Sequence, residues 1–173
     1  SLVGSEMCIR DSNPKHAILV RSINRGLNAE DYDALTACGF KPMFARNVLL
    51  FPHKPIEQFP RKKRRQILRD EGLVEKLGLR WEAPGTLTGD QAERVADLYN
   101  QLYLEKYSEN NPRFTPLFHA ECSSRNILHY RLLMDGDRII GVVGMKVVEG
   151  VSTTPILGYD HHHPHAKVLY RML

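Results

Sequence analysis

Between Ile127 and Asp160 the chain holds three apolar, β-branched runs and almost nothing else. The runs are Ile127–Met134, Arg138–Val148 and Val151–Asp160, parted by the turn signals Asp135-Gly136-Asp137 and Glu149-Gly150. Gaps this short leave no room for the crossover that parallel neighbours need, so the runs must form an antiparallel meander. A meander has an apolar face to cover, and the preceding segments can cover it. Thr88 or Asp90 caps a helix to about Tyr107, with Ala92, Val95, Ala96, Tyr99, Leu102 and Tyr103 inward and Lys106 adding its stem. Thr115–Ser124 reads as a second short helix with Pro116 in its first turn. Leu79–Ala83 is a short strand before them, and a last helix opens near Pro164. The expected fold class is α+β: a mixed, mainly antiparallel sheet flanked by helices.

The upstream part has a different character. His16–Ile23 and Met43–Phe51 read as strands on either side of a helix, Ala29–Cys38, with Asn28 as N-cap and Gly39 as the stop. Pro52, Pro55 and Pro60 then mark a linker, followed by Arg61-Lys-Lys-Arg-Arg65 and an amphipathic stretch, Gln66–Leu77. The net charge of +4 resides here: Lys54–Arg80 carries nine basic and four acidic residues. The expected organisation is a leader over 1–12, a strand-helix-strand piece over 13–52, a basic linker helix over 53–78 and a further piece over 79–173.

No uncharged apolar run approaches the roughly 20 residues of a membrane helix. Three scattered cysteines, Cys8, Cys38 and Cys122, argue against a disulfide framework and fit a cytoplasmic setting. His161-His-His-Pro-His165 invites a metal reading, but three consecutive histidines cannot all face one ion, and no metal site is expected. His119 and Cys122 share a helix face three residues apart; a buried thiol is the common meaning of such a pair. Arg61, Lys62, Lys63, Arg64 and Arg65 are candidates for RNA or another polyanion, without the aromatic interleaving that single-strand binding uses.

Ser1–Ser12 resembles a translated sequencing-adaptor sequence of the kind carried into assembled metagenomic reads. Leu104-Glu-Lys-Tyr-Ser-Glu-Asn-Asn-Pro112, Thr154-Pro-Ile-Leu-Gly-Tyr-Asp160 and Leu169-Tyr-Arg-Met-Leu173, together with the meander, resemble the GNAT acyltransferase superfamily. The likeness is to a group with two GNAT halves, related to the Fem-type aminoacyltransferases, and it covers most of Lys15–Leu173. It implies the end of one half over 13–52 and the start of a second, truncated half over 79–173, a fragment expected to be inactive alone. It also implies transfer of an acyl group from acyl-CoA, or another activated donor, to a small-molecule or peptide amine.

Under this resemblance Ile156, Leu157, Gly158, His165 and Lys167 would hold the acyl-CoA. Tyr159, Asp160 and His163 are candidate catalytic residues, and Tyr107, Asn110 and Asn111 candidate acceptor contacts. One departure stands out: the family's glycine-rich pyrophosphate loop is replaced by His161–Lys167, which has no glycine. The rival reading is a non-catalytic binding module that contacts RNA through the basic linker.

Overall fold

In a computed structural model, which describes residues 11–44, 48–51 and 54–171, both hairpin turns form as their residues dictate. Glu149 and Gly150 take positive φ, 50° and 78°, the type I′ pattern, and join β3 (Arg138–Val148) to β4 (Val151–Tyr159). Gly136, at φ 55°, opens the two-residue turn between β2 (His129–Asp135) and β3. β1 (Leu79–Glu82) pairs with β2, completing a four-stranded antiparallel sheet in the order β1-β2-β3-β4. The chain is thus α+β, with a meander at its centre.

Two irregularities set which side chains face which way. Gly144 pairs with Ile156 and Lys146 with Thr153, so Thr154 and Pro155 on β4 oppose Met145 alone. Pro155 has no N–H to give a ladder, and the extra residue absorbs that loss. On the other side of β3 the register slips at Ile140, so that Ile140 and Gly141 share one face while Ile139 and Val142 share the other.

Each face has its own cover. α3 (Gly89–Asn100) begins at a capping box: the Gln91 N–H donates to Thr88 Oγ1 at 3.3 Å, and the Thr88 N–H donates to Gln91 Oε1 at 3.0 Å. Val95, Leu98 and Tyr99 of α3, with Cys122 of α4 (Pro116–Ser124), pack on Tyr130, Leu132, Val142 and Ile156. On the opposite face lie Val74 of α2 (Arg61–Lys76) and Ala166, Val168 and Leu169 of a 3₁₀ segment (Ala166–Arg171). These meet Leu79, Leu133, Ile140, Val143, Leu157 and Tyr159. The basic helix is therefore docked rather than bare: Leu73, Val74 and Leu77 face the sheet, and buried Asp70 accepts from Arg171 at 2.6 Å.

The helix expected from Pro164 is instead that six-residue 3₁₀ segment. Three-residue bonds, Ala166 N–H to the His163 carbonyl and Val168 N–H to the His165 carbonyl, wind it tightly, and its apolar residues lie against the sheet. Met172 and Leu173 lie outside the described residues.

The chain divides into two compact units, Ser1–Pro52 and His53–Leu173. In the first, α1 (Ala29–Ala37) forms as expected and ends in a Schellman pattern. Gly39 takes φ 90°, its N–H bonds the Thr36 carbonyl, and the Phe40 N–H bonds the Leu35 carbonyl. Asn28 holds the N-cap position, but its side-chain oxygen accepts from Asn24 instead of capping. The two expected strands are corrected: His16–Ile23 is irregular, and so are the described residues of Met43–Phe51, of which 45–47 lie outside the description. A strand is stable only against a partner, and apolar sequence alone supplies none. Phe44 and Phe51 remain 83% and 82% exposed. The leader over 1–12 falls outside the description except for its last two residues.

Candidate functional site

The expected catalytic residues gather where β4 ends. Tyr159 is buried, and its hydroxyl accepts from the Lys106 ammonium at 3.0 Å. Lys106 comes from a π-helical turn, Gln101–Tyr107, that continues α3. Such turns shift the helix register by one residue and commonly mark sites. The Tyr159 hydrogen bond raises the Lys106 pKa above its ordinary value against desolvation, so this amine is a cation and not a base. The Tyr159 ring meets His161 edge-on at 4.8 Å and Tyr170 at 5.4 Å. Tyr170 in turn places its hydroxyl 3.5 Å from that of Tyr107.

Asp160 is buried and fully engaged. Burial by itself would raise its carboxyl pKa. The His162 N–H at 2.9 Å, Arg94 at 2.8 Å and Arg138 at 2.5 Å outweigh that and hold it below the ordinary carboxylate value. A carboxylate that accepts three charge-strengthened or main-chain bonds is an anchor and a poor proton acceptor. Arg94 and Arg138 also line an open hollow of about 470 Å³ with Arg80, Glu82, Asp90 and Asp137. His163 is tied down as well: its Nε2 lies 2.9 Å from Asp135, and its Nδ1 accepts from the His165 N–H at 3.3 Å.

The side chains expected to hold a donor are largely spent on the core. Ile156 packs under α3, and Leu157 packs on the opposite face. Gly158 lies against the α3 backbone; a Cβ there would come within 2.6 Å of the Leu98 carbonyl carbon. What remains is main chain. The Asp160 N–H bonds the Ile140 carbonyl at 2.8 Å. Antiparallel alternation then turns the N–H and C=O groups of Leu157 and Tyr159 away from β3. β4 is the outer strand among the described residues.

The loop after β4 does not fit a pyrophosphate. His161, His162, His163, His165, Ala166 and Val168 all donate their N–H groups within the protein. The 3₁₀ segment has too few turns to offer a helix dipole, leaving the exposed side chains of His162, His165 and Lys167.

The acceptor candidates divide. Asn111 donates its amide to the Tyr103 carbonyl at 2.8 Å and closes the π turn. Tyr107 and Asn110 stay exposed beside it. Arg61, Lys62, Lys63 and Arg65 are exposed on the first turns of α2, with Arg64 half-buried.

Sequence reasoning passed over Lys106 as a stem and missed Arg94, Arg138 and His161. The Arg138 contact with Asp160 reaches from β3 to the end of β4 and has no signal in the local sequence. Nothing local pointed to Arg94 or to the ring contact of His161.

Elsewhere, buried His119 pairs through Nδ1 with the Tyr130 hydroxyl at 2.9 Å and not with Cys122. Burial raises the pKa of the Cys122 thiol, which stays protonated and unreactive. Among the described residues no group of three or more His, Cys, Asp or Glu side chains could hold a metal ion, and no helix is long and apolar enough to cross a membrane. No family model matches this chain, and neither a curated protein nor a solved structure is significantly similar to it.

Proposed function

We propose that this chain belongs to an acyltransferase of GNAT-like type, moving an acyl group from a thioester such as acyl-CoA to an amine. One observation carries the reading: the order β1, α3, α4, β2, β3, β4 leaves the main-chain donors of Leu157 and Tyr159 on an outer strand edge, beside a polar aromatic cluster. Preorganised N–H groups at such an edge would polarise a thioester carbonyl. The amine nitrogen then bonds to that carbonyl carbon, the C–S bond breaks, the thiolate leaves and takes a proton, and the nitrogen loses one. Tyr159, with Lys106 on its hydroxyl, is the residue best placed to give the thiolate its proton. Asp160 and His163 position the loop, and Tyr107 and Asn110 border the acceptor side.

The unsuited loop makes the pantetheine end of a donor, rather than its pyrophosphate, the part recognised. A two-half organisation and a cytoplasmic setting belong to the same proposal; unpaired Cys38 and Cys122 support the setting. Amide NMR of the labelled chain titrated with acetyl-pantetheine and with acetyl-CoA tests it. The expected result is that both ligands move the Leu157 and Tyr159 amide signals at millimolar concentration. Unmoved signals at those two positions with both ligands would overturn the reading.

A further inference from the structure

The basic run of α2 has become a surface with a definite composition. Arg61, Lys62, Arg65, Gln66 and Arg69 line one open groove of about 580 Å³, with no apolar or acidic residue among them. At 3.6 residues per turn, Arg61, Arg65 and Arg69 fall on one stripe, about 6 Å apart along the axis. The helix has no acid in its first turn; its acids, Asp70, Glu71 and Glu75, come later. The carboxylate nearest the stripe is taken: Asp70 accepts from Arg171 at 2.6 Å and stands 3.8 Å from Arg69.

Three further observations narrow the partner. The apolar side of α2 is used on the sheet through Leu73, Val74 and Leu77; Leu68 is the one large apolar side chain the helix leaves exposed, too little for an apolar face to lie in a lipid surface. No ring lines the groove, and Phe59, which precedes the helix, is covered by the Lys54 ammonium at 4.5 Å from its centroid. Base stacking therefore has no platform, which disfavours an unpaired strand. A row of cations spaced about 6 Å suits regularly spaced phosphates, contacts that carry no sequence information.

We propose that the outward face of α2, formed by Arg61, Lys62, Arg65 and Arg69, docks on the phosphodiester backbone of a nucleic-acid duplex without reading its sequence. This surface is independent of the β4 site and of the acyl-transfer reading.

Fluorescence anisotropy with labelled 20-base-pair RNA and DNA duplexes, from 50 to 200 mM KCl, tests it on the full chain. Four phosphate contacts predict a log–log salt slope of about −3.6, which is a loss on the order of 100-fold in affinity across that range. Arg61→Gln/Arg65→Gln/Arg69→Gln should shallow the slope by about 3, and Arg65→Gln alone by about 1. A control of equal charge loss, Lys15→Gln/Lys41→Gln/Arg113→Gln, should change the slope by less than about 1. Two duplexes of different sequence should bind alike. The proposal is overturned if neither duplex binds, if the control lowers the slope as much as the triple variant, if binding depends on sequence, or if phosphatidylserine vesicles bind and the duplexes do not. Arg65→Gln keeps the test decisive should the triple variant not fold.

Discussion

His119 is a residue whose chemistry departs far from its behaviour in water. It is fully buried among Tyr99, Phe114, Phe118 and Tyr130, and its Nε2 has no hydrogen-bond partner among the described residues. Burial lowers its pKa from 6.5 to about 4, so the folded protein holds a neutral imidazole. The unfolded chain takes up a proton below pH 6.5 and the folded chain does not until about pH 4. The stability this group contributes is therefore complete above pH 6.5 and is lost progressively as pH falls to about 4, by at most about 3 kcal/mol. Carboxylates titrate in the same range, so the informative quantity is a difference between proteins. Urea unfolding followed from pH 4 to 7 should show a steeper dependence in the wild type than in His119→Phe. Parallel pH profiles would exclude this role.

At the scale of elements, α3 can seat on β4 only because Gly158 has no side chain. A Cβ at that position would lie 2.6–2.7 Å from the Leu98 carbonyl group and the Tyr99 nitrogen, atoms of a helix backbone that cannot rotate aside. Gly158→Ala should cost about 1–3 kcal/mol by forcing α3 off the sheet. Thermal unfolding should register this as a lower Tm, and an unchanged Tm would mean that α3 does not pack so closely. The elements that could be read ahead of the structure were those written in local chemistry: the Glu149-Gly150 turn, a cap at Thr88 or Asp90, of which the structure uses Thr88, and Pro116 at a helix start. Those that could not be read depend on distant partners. His16–Ile23 has strand composition but no strand to pair with, and the segment after Pro164 winds as 3₁₀ because Ala166, Val168 and Leu169 are held on the sheet. The candidate site was legible as a place, the end of β4, but not as chemistry. Asp160 is a candidate catalytic residue by sequence, but Arg94, 66 positions away, grips it as an anchor.

For the molecule as a whole, the two units differ in how much burial supports them. His53–Leu173 encloses apolar clusters on both faces of its sheet, with Val95, Leu98, Leu132, Ile140, Val142 and Leu169 fully buried. Among the described residues of Ser1–Pro52, Leu35 is the one buried hydrophobic, and Leu19, Met43 and Leu49 are exposed. α1 has nine residues, fewer than the roughly 12–15 at which even a helix of good formers becomes marginal alone in water. Its Schellman stop and the acidic residues of its first turn contribute about 1 kcal/mol or less each, too little to replace a core. Opening free energies should therefore be far from uniform along the chain. Native-state hydrogen exchange should find the amides of Leu132 and Val142 at least about a thousandfold more protected than those of α1, since core strands open only with the whole unit. Equal protection in α1 and in the sheet would instead require that the first unit draw its stability from contacts other than its own apolar burial.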